Sequence, residues 1–191
     1  ASARLTGGDS VQLASVDLSD PTAPVVAATL DGPALDLLGA DADRLYAVEI
    51  GATSKLTVLR PLGTGIVMAA GSVSLPGYAE AVAASDGLAV VLSVQRALEP
   101  PTYGFTVIDA ADPMRPRAAG GGALAGFLPQ RAALEGDLLV IAGNADPAAD
   151  GPATRLVAFD LADPDHPRPV GTTDWHADPA TGGRDVLALA V

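Results

Sequence analysis

The 191-residue chain contains no cysteine, which excludes a disulfide framework, a thiolate metal site and a cysteine nucleophile together. Histidine occurs twice, as His166 and His176, so any imidazole metal site or Ser/His/Asp triad must use one of these two. Basic residues are scarce, 11 against 23 acidic ones, for a net charge of -12. A surface of that sign repels phosphate backbones and anionic headgroups, which excludes a nucleic-acid partner and favours cationic ones, divalent metals included. Long apolar runs are missing too. Val186 to Val191 and Leu138 to Ala142 are among the longest, far short of the roughly 20 residues a membrane-crossing helix needs, so no membrane insertion is expected. The opening Ala1-Ser2-Ala3-Arg4-Leu5-Thr6 has neither an initiator Met nor the layout of a signal peptide, as expected of a processed or excised piece.

What is present is apolar and broken into short lengths. Hydrophobic residues make up 49% of the chain, too many for intrinsic disorder despite the charge. The 21 Gly and 16 Pro residues interrupt every run before an i, i+3, i+4, i+7 stripe can form, so helix has no place. Even Leu35-Asp36-Leu37-Leu38 lies between Pro33 and Gly39 and reads as strand.

The runs repeat. Val16-Asp17-Leu18-Ser19-Asp20-Pro21-Thr22-Ala23-Pro24 returns from Ile108-Asp109 through Asp112-Pro113-Met114-Arg115-Pro116, and from Phe159-Asp160 through Asp163-Pro164-Asp165-His166-Pro167. A decayed copy, Leu56-Thr57-Val58-Leu59-Arg60-Pro61, carries Arg60 in place of the Asp, so its connection is expected to be built differently. A second signature keeps the same beat through Leu45, Leu88 and Leu138, each opening an apolar run behind a turn. Two motifs with one period of 43 to 51 residues define a repeat architecture.

Asp-Pro-x-x-Pro suits a corner between antiparallel strands. The Asp side chain accepts nearby backbone N–H groups, and the first Pro presets φ near -65° for the first inner turn position. The second Pro stands where a strand begins, a position that tolerates its missing N–H. Short strands with turn signals at this spacing predict an all-β protein, a β-propeller of four-stranded antiparallel blades. The apolar strand ending in Asp and followed by Asp-Pro-x-x-Pro resembles the blades of the LVIVD-repeat β-propellers. The carrying residues are Val16-Asp17 through Pro24, Val107-Ile108-Asp109 through Pro116, and Val157-Ala158-Phe159-Asp160 through Pro167. The resemblance implies a secreted or cell-envelope module, and it specifies architecture rather than activity.

Blades are expected at 33–75, 77–125 and 127–175, between partial blades at 1–32 and 178–191. That is about four blades' worth in one propeller domain. Neither end supplies a clear second strand. The chain then either closes a small ring through its complementary ends or is an excerpt of a larger propeller, with further blades from the same full-length chain as partners.

Few residues invite a chemical role. Asp174-Trp175-His176-Ala177-Asp178 sets the single Trp beside a His between two carboxylates, so Trp175 and His176 are candidate partner-binding residues and Asp174, His176 and Asp178 candidate metal ligands. The plainer alternative is a Trp over a blade seam with a surface His beside it. Asn144, Asp146 and Asp150 supply oxygen ligands for Ca2+ or another divalent cation, without the spacing or closing Glu of an EF-hand. Otherwise this is a solvated loop. The equivalent loop from Arg96 to Tyr103 is also long, which places Tyr103 on the same loop face, where a protein or small ligand would bind. His166 fills a variable slot of a corner and reads as a solvated turn residue. Gly120-Gly121-Gly122 is no nucleotide fingerprint, because Phe127-Leu128-Pro129 follows where a helix would have to start. Asp17, Asp109 and Asp160 recur with the blade and share one structural task. The expected function is non-catalytic binding or display, with no catalytic residue and no firm cofactor. The alternative is an enzyme or metal site in a central funnel, using His176, Asp174 and Asp178 near a carboxylate such as Asp36 or Glu80.

Overall fold

The computed structural model describes residues 2–6, 11–17, 20–32, 37–62, 66–96, 100–145 and 154–175, and every regular element among them is a β-strand. They form four antiparallel meanders. The first sheet holds β1 (Ser2–Thr6), β2 (Val11–Asp17) and β3 (Val25–Gly32), in that order. The second holds β4 (Leu37–Ala40), β5 (Leu45–Glu49), β6 (Thr53–Leu62) and β7 (Ile66–Pro76). The third holds β8 (Tyr78–Ser85), β9 (Leu88–Gln95), β10 (Thr102–Asp109) and β11 (Arg117–Ala123), and the fourth β12 (Phe127–Glu135), β13 (Leu138–Ala145), β14 (Thr154–Asp160) and β15 (Arg168–Trp175). The leading strands pack on one another in sequence, β4 against β8 and β8 against β12. The architecture is all-β, with one three-stranded and three four-stranded antiparallel sheets among the described residues, in propeller-like succession.

The third sheet explains why its strands read as unbroken apolar runs rather than alternations. Ala89 and Val91 of β9 join a core with Tyr46, Val48, Leu56, Val58 and Ile108. The intervening Val90 and Leu92 join a second core with Phe105, Val107, Leu139, Ile141 and Phe159. Successive side chains of a strand point to opposite faces, so a strand covered on both sides must be apolar at every position. Between the third and fourth sheets the rings of Phe105 and Phe159 meet at 4.7 Å between centroids with a 57° tilt, a favourable edge-biased geometry.

Connections are tight where the sequence concentrates glycine. Gly77 alone links β7 to β8 at φ 72°, and a Cβ there would lie 2.7 Å from the Val94 carbonyl oxygen. Ser54, fully buried, donates its hydroxyl to the Gly77 carbonyl at 2.8 Å and accepts the Ala79 N–H at 3.0 Å, tying the second sheet to the third. Asp86 and Gly87 turn β8 into β9 with φ of 49° and 83°, both positive as a two-residue hairpin of type I′ requires.

One expectation is revised. The first sheet does have a strand before Val11. β1 pairs with β2 from Ser2↔Ser15 to Thr6↔Val11, so the N-terminal end supplies the strand thought missing. Its five residues hold no apolar run, and pairing rather than composition makes them a strand. The connection at Arg60-Pro61 is built differently, as expected, and these residues form no corner. Arg60, Pro61 and Leu62 stay paired with Met68, Val67 and Ile66, so β6 and β7 continue as a long hairpin. Pro61 is tolerated because β5 begins at Leu45 opposite Leu59, leaving the ladder on that side already ended.

Candidate functional site

The recurring carboxylates are committed to the backbone. Asp20, Asp112 and Asp163 accept the N–H two residues ahead at 2.9, 3.0 and 3.2 Å. Their carbonyls accept the N–H three residues ahead, from Ala23, Arg115 and His166. These are Asx-stabilised turns with Pro at the first inner position. The Thr22 hydroxyl and N–H hold the Asp20 carboxyl below its ordinary range. Asp109 and Asp160 similarly accept Ala111 N–H at 3.1 Å and Ala162 N–H at 2.9 Å. His166 is an exposed corner residue whose Nδ1 lies 3.0 Å from Asp163 Oδ2.

The corners at Asp112 and Asp163 also reach the sheet before them. Arg117, directly after Pro116, forks onto Asp165 of the next corner at 2.6 and 3.0 Å and touches Asp109 of its own sheet at 3.0 Å. That bidentate bond holds the Asp165 carboxyl below the usual carboxylate range. The corner Pro113–Pro116 lies over Gly71 of β7, and the corner Pro164–Pro167 over Gly120 of β11. Gly122 lies against the ring of Phe105, where a Cβ would come within 2.8 Å of it. The glycine run of β11 is therefore a close-packing surface for strand and corner.

A second polar cluster joins the second and third sheets. Asp41, with its side chain 3% exposed, accepts the Tyr46 hydroxyl at 2.8 Å, Gly87 N–H at 3.0 Å and Arg44 N–H at 2.9 Å. Burial pushes its pKa up, but the Tyr46, Gly87 and Asp43 bonds and the Arg44 charge together outweigh it, and the net shift is downward. Burial first, then the Asp41 bond, drives the Tyr46 phenol well above its ordinary value. A phenol held protonated and a carboxylate held ionised in mutual contact make a clasp, with neither free to exchange a proton near neutrality.

A concavity among the described residues lies at the opposite end of β9 from the Asp86–Gly87 turn. A shallow cleft of about 230 Å³ is lined by Pro76 from β7, Ser93 and Gln95 from β9, Thr102 to Thr106 from β10, and Gly122 and Ala123 from β11. Tyr103 is therefore in the cleft wall, half-buried and packed against the core shared with the fourth sheet. The described lining residues offer hydroxyls, one amide and two aromatic rings. At the same strand ends, Arg96 bonds Glu80 at 2.9 Å and sits 5.0 Å over the Tyr78 ring.

Of the remaining candidates, Asn144, Asp174 and the backbone of Trp175 fall among the described residues. Asn144 is half-buried near the end of β13, opposite Leu128 and Thr154, while Asp146 and Asp150 lie outside the described residues. Asp174 is engaged by Arg155 through a fork of 2.7 and 2.8 Å across β14 and β15. Trp175 closes β15 opposite Thr154; its side chain, His176, Asp178 and the funnel carboxylate Asp36 lie outside the described residues. Among the described residues, no three Asp, Glu or His groups gather as a metal site.

No protein-family model and no curated protein matches the sequence. Among solved structures, the chain is similar to a variant of the Synechocystis apocarotenoid oxygenase, with a TM-score of 0.46 and 12% identity over 87% of this chain and 47% of that one. An ACO/RPE65 chimera gives a TM-score of 0.45 at 12% identity over 90% of this chain and 46% of that one. The chain thus spans just under half the length of these structures. At that level of likeness no activity carries over.

Sequence reasoning singled out Tyr103, which lies in the cleft wall, and the corner carboxylates, but did not single out Asp41, Ser54, Ser93 or Gln95. Asp41 stands just ahead of the Asp43-Arg44-Leu45 signature, so its place in the repeat was visible. Its bond to Gly87, 46 residues on, was not.

Proposed function

We propose that the four sheets are successive blades of a β-propeller of the LVIVD-repeat type, acting as a non-catalytic binding or display module of a secreted or cell-envelope protein. The ligand is a protein segment or small molecule seated at the loop face, with Tyr103 as its contact. The observation that carries this reading is the cleft at Tyr103, formed by residues of two sheets, whose described lining offers aromatic rings, hydroxyls and an amide for stacking and hydrogen bonding. Further support comes from the Asp carboxylates of the complete corners, each occupied by backbone N–H groups. The acidic surface adds a preference for cationic ligands.

The test is an amide chemical-shift titration with two probes, a Lys-rich decapeptide and a panel of aromatic fragments. The reading expects shifts clustered at Ser93, Gln95, Tyr103 and Gly122 for at least one probe, abolished by Tyr103→Ala with the melting temperature changed by only a few degrees. Shifts absent from the cleft for every probe, or unchanged by Tyr103→Ala, would overturn it.

A further inference from the structure

Asp-Gly is among the pairs at which a protein chain rearranges most readily, because glycine puts no side chain between its nitrogen and the carboxyl before it. The pair occurs at Asp31-Gly32, Asp86-Gly87 and Asp150-Gly151. Asp86-Gly87 makes the two-residue turn from β8 to β9, with φ of 49° and 83°. Asp86 is exposed there and Gly87 is buried.

The two groups that would react are held from different directions. The Gly87 N–H donates to Asp41 Oδ2 of the second sheet's β4–β5 turn at 3.0 Å. The Gly87 carbonyl accepts the Ala110 N–H at 2.8 Å, and a Cβ on Gly87 would meet the Arg44 guanidinium. Asp86 Oδ2 accepts the Ser85 hydroxyl at 3.3 Å. That hydroxyl oxygen in turn accepts the N–H of Gly136, in the β12–β13 turn of the fourth sheet, at 3.1 Å. The turn thus ties its sheet to both neighbours, with its nitrogen and its carboxylate each engaged.

We propose that Asp86-Gly87 is a self-modification site that converts to an isoaspartyl linkage, and that Asp41 restrains the conversion by holding the Gly87 nitrogen. In the first step the Gly87 nitrogen bonds to Cγ of the protonated Asp86 carboxyl. The nitrogen's proton and the carboxyl's hydroxyl leave together as water, which closes a five-membered succinimide. Water then breaks the bond between that nitrogen and the Asp86 main-chain carbonyl carbon. Gly87 is left attached through Cγ, and the former main-chain carbonyl becomes a free carboxylate. One water is released and one consumed, so the mass is unchanged and no other reagent is needed.

Ring closure requires the Gly87 nitrogen to turn toward Cγ and give up its proton. A charge-assisted bond to a carboxylate opposes both, since the N–H cannot turn without breaking it and the adjoining negative charge disfavours loss of the proton. The reaction therefore runs during local openings of the seam between the second and third sheets. Its product carries one extra main-chain carbon in a turn of two residues, which moves Gly87 away from Asp41 and Ala110. Each conversion weakens the seam that restrained it. The proposal depends on this turn and its holders and not on the display role.

The test follows isoaspartate at Asp86 in protein kept at neutral pH, by peptide mapping with electron-transfer fragmentation, which separates this position from the other two Asp-Gly pairs. Asp41→Ala should accelerate the conversion about tenfold or more, the effect of one lost charge-assisted bond on a local opening. Tyr46→Phe removes the phenol bond to Asp41 and leaves the Gly87 bond in place, so it should stay close to the native rate. Ser85→Ala releases only the carboxylate and should stay below the Asp41→Ala rate. An Asp41→Ala rate no higher than the native one would overturn the proposal. So would equal rates for Tyr46→Phe and Asp41→Ala, because general loosening of the seam would then suffice, or a faster Ser85→Ala, because the carboxylate would then be the restrained group. The unaltered chain gives a second reading that does not depend on any variant folding. Unfolding it in urea should raise the rate at Asp86 about tenfold or more, and equal rates in the folded and unfolded chain would also contradict the proposal.

Discussion

Asp41 does at the scale of one residue what the seams do at the scale of a sheet. Its carboxylate is nearly enclosed and holds a phenol, a guanidinium and the backbone of the neighbouring sheet's turn. Replacing Asp41 by Asn keeps the shape but loses the charge-assisted bonds, and about 1.5–3 kcal/mol of stability at pH 7 is the expected loss. The pH dependence has a definite sign. The folded pKa lies below the unfolded value, so the stabilisation is complete above roughly pH 4 and disappears as pH falls through the folded pKa. The stability gap between the native protein and Asp41→Asn, measured by urea denaturation, should therefore be constant from pH 5 to 8 and narrow below about pH 4. A gap that widens on acidification would contradict the assignment. At the corners, Asp112→Ala removes the acceptor of Met114 N–H and should cost about 1 kcal/mol, read as a fall of a few degrees in melting temperature.

At the scale of the element, the corner was readable and its seat was not. Asp-Pro-x-x-Pro announces itself because its chemistry is local: the Asx bond spans two residues and the proline acts on its own φ. Gly71 and Gly120 carry no such signal, since what forbids a side chain at each is a backbone more than 40 residues further on. β1 escaped notice for a related reason, its five mixed residues being strand only because β2 lies beside them. The cleft was half legible. Tyr103 stood out at the end of a long loop, while Ser93, Gln95 and Pro76 join it only through register and a neighbouring sheet. Gly120→Ala should meet the Pro164 and Asp165 carbonyls, where relief requires backbone movement, and destabilise by about 1–3 kcal/mol. Gly171→Ala, with no described residue within 4 Å of its Cβ position, should be neutral or slightly stabilising, because alanine restricts the unfolded chain more than glycine does. Chemical denaturation of the pair checks this, and equal losses would mean the seats are not real.

At the scale of the molecule, stability rests on the apolar layers between sheets. The interface of the third and fourth sheets contains Phe105, Phe127, Leu139, Ile141 and Phe159, and truncating Phe159 to Ala should cost about 3–5 kcal/mol. Arg155→Ala, which removes a partly exposed ion pair with Asp174, should cost less than about 1 kcal/mol. The contrast, measured by calorimetry, separates a molecule held by its layers from one held by its charges. The net charge of -12 acts at long range and does not specify the fold.

The central claim is that the sheets are joined in series by proline corners resting on glycine backbone. Nuclear Overhauser contacts test it most directly. The claim predicts strong cross-peaks from Gly71 Hα to Pro116 Hδ and from Gly120 Hα to Pro167 Hδ, protons of residues 45 and 47 positions apart. If both long-range peaks are missing while the short-range contacts within each corner are intact, the corners do not rest on these glycines and the serial architecture is wrong.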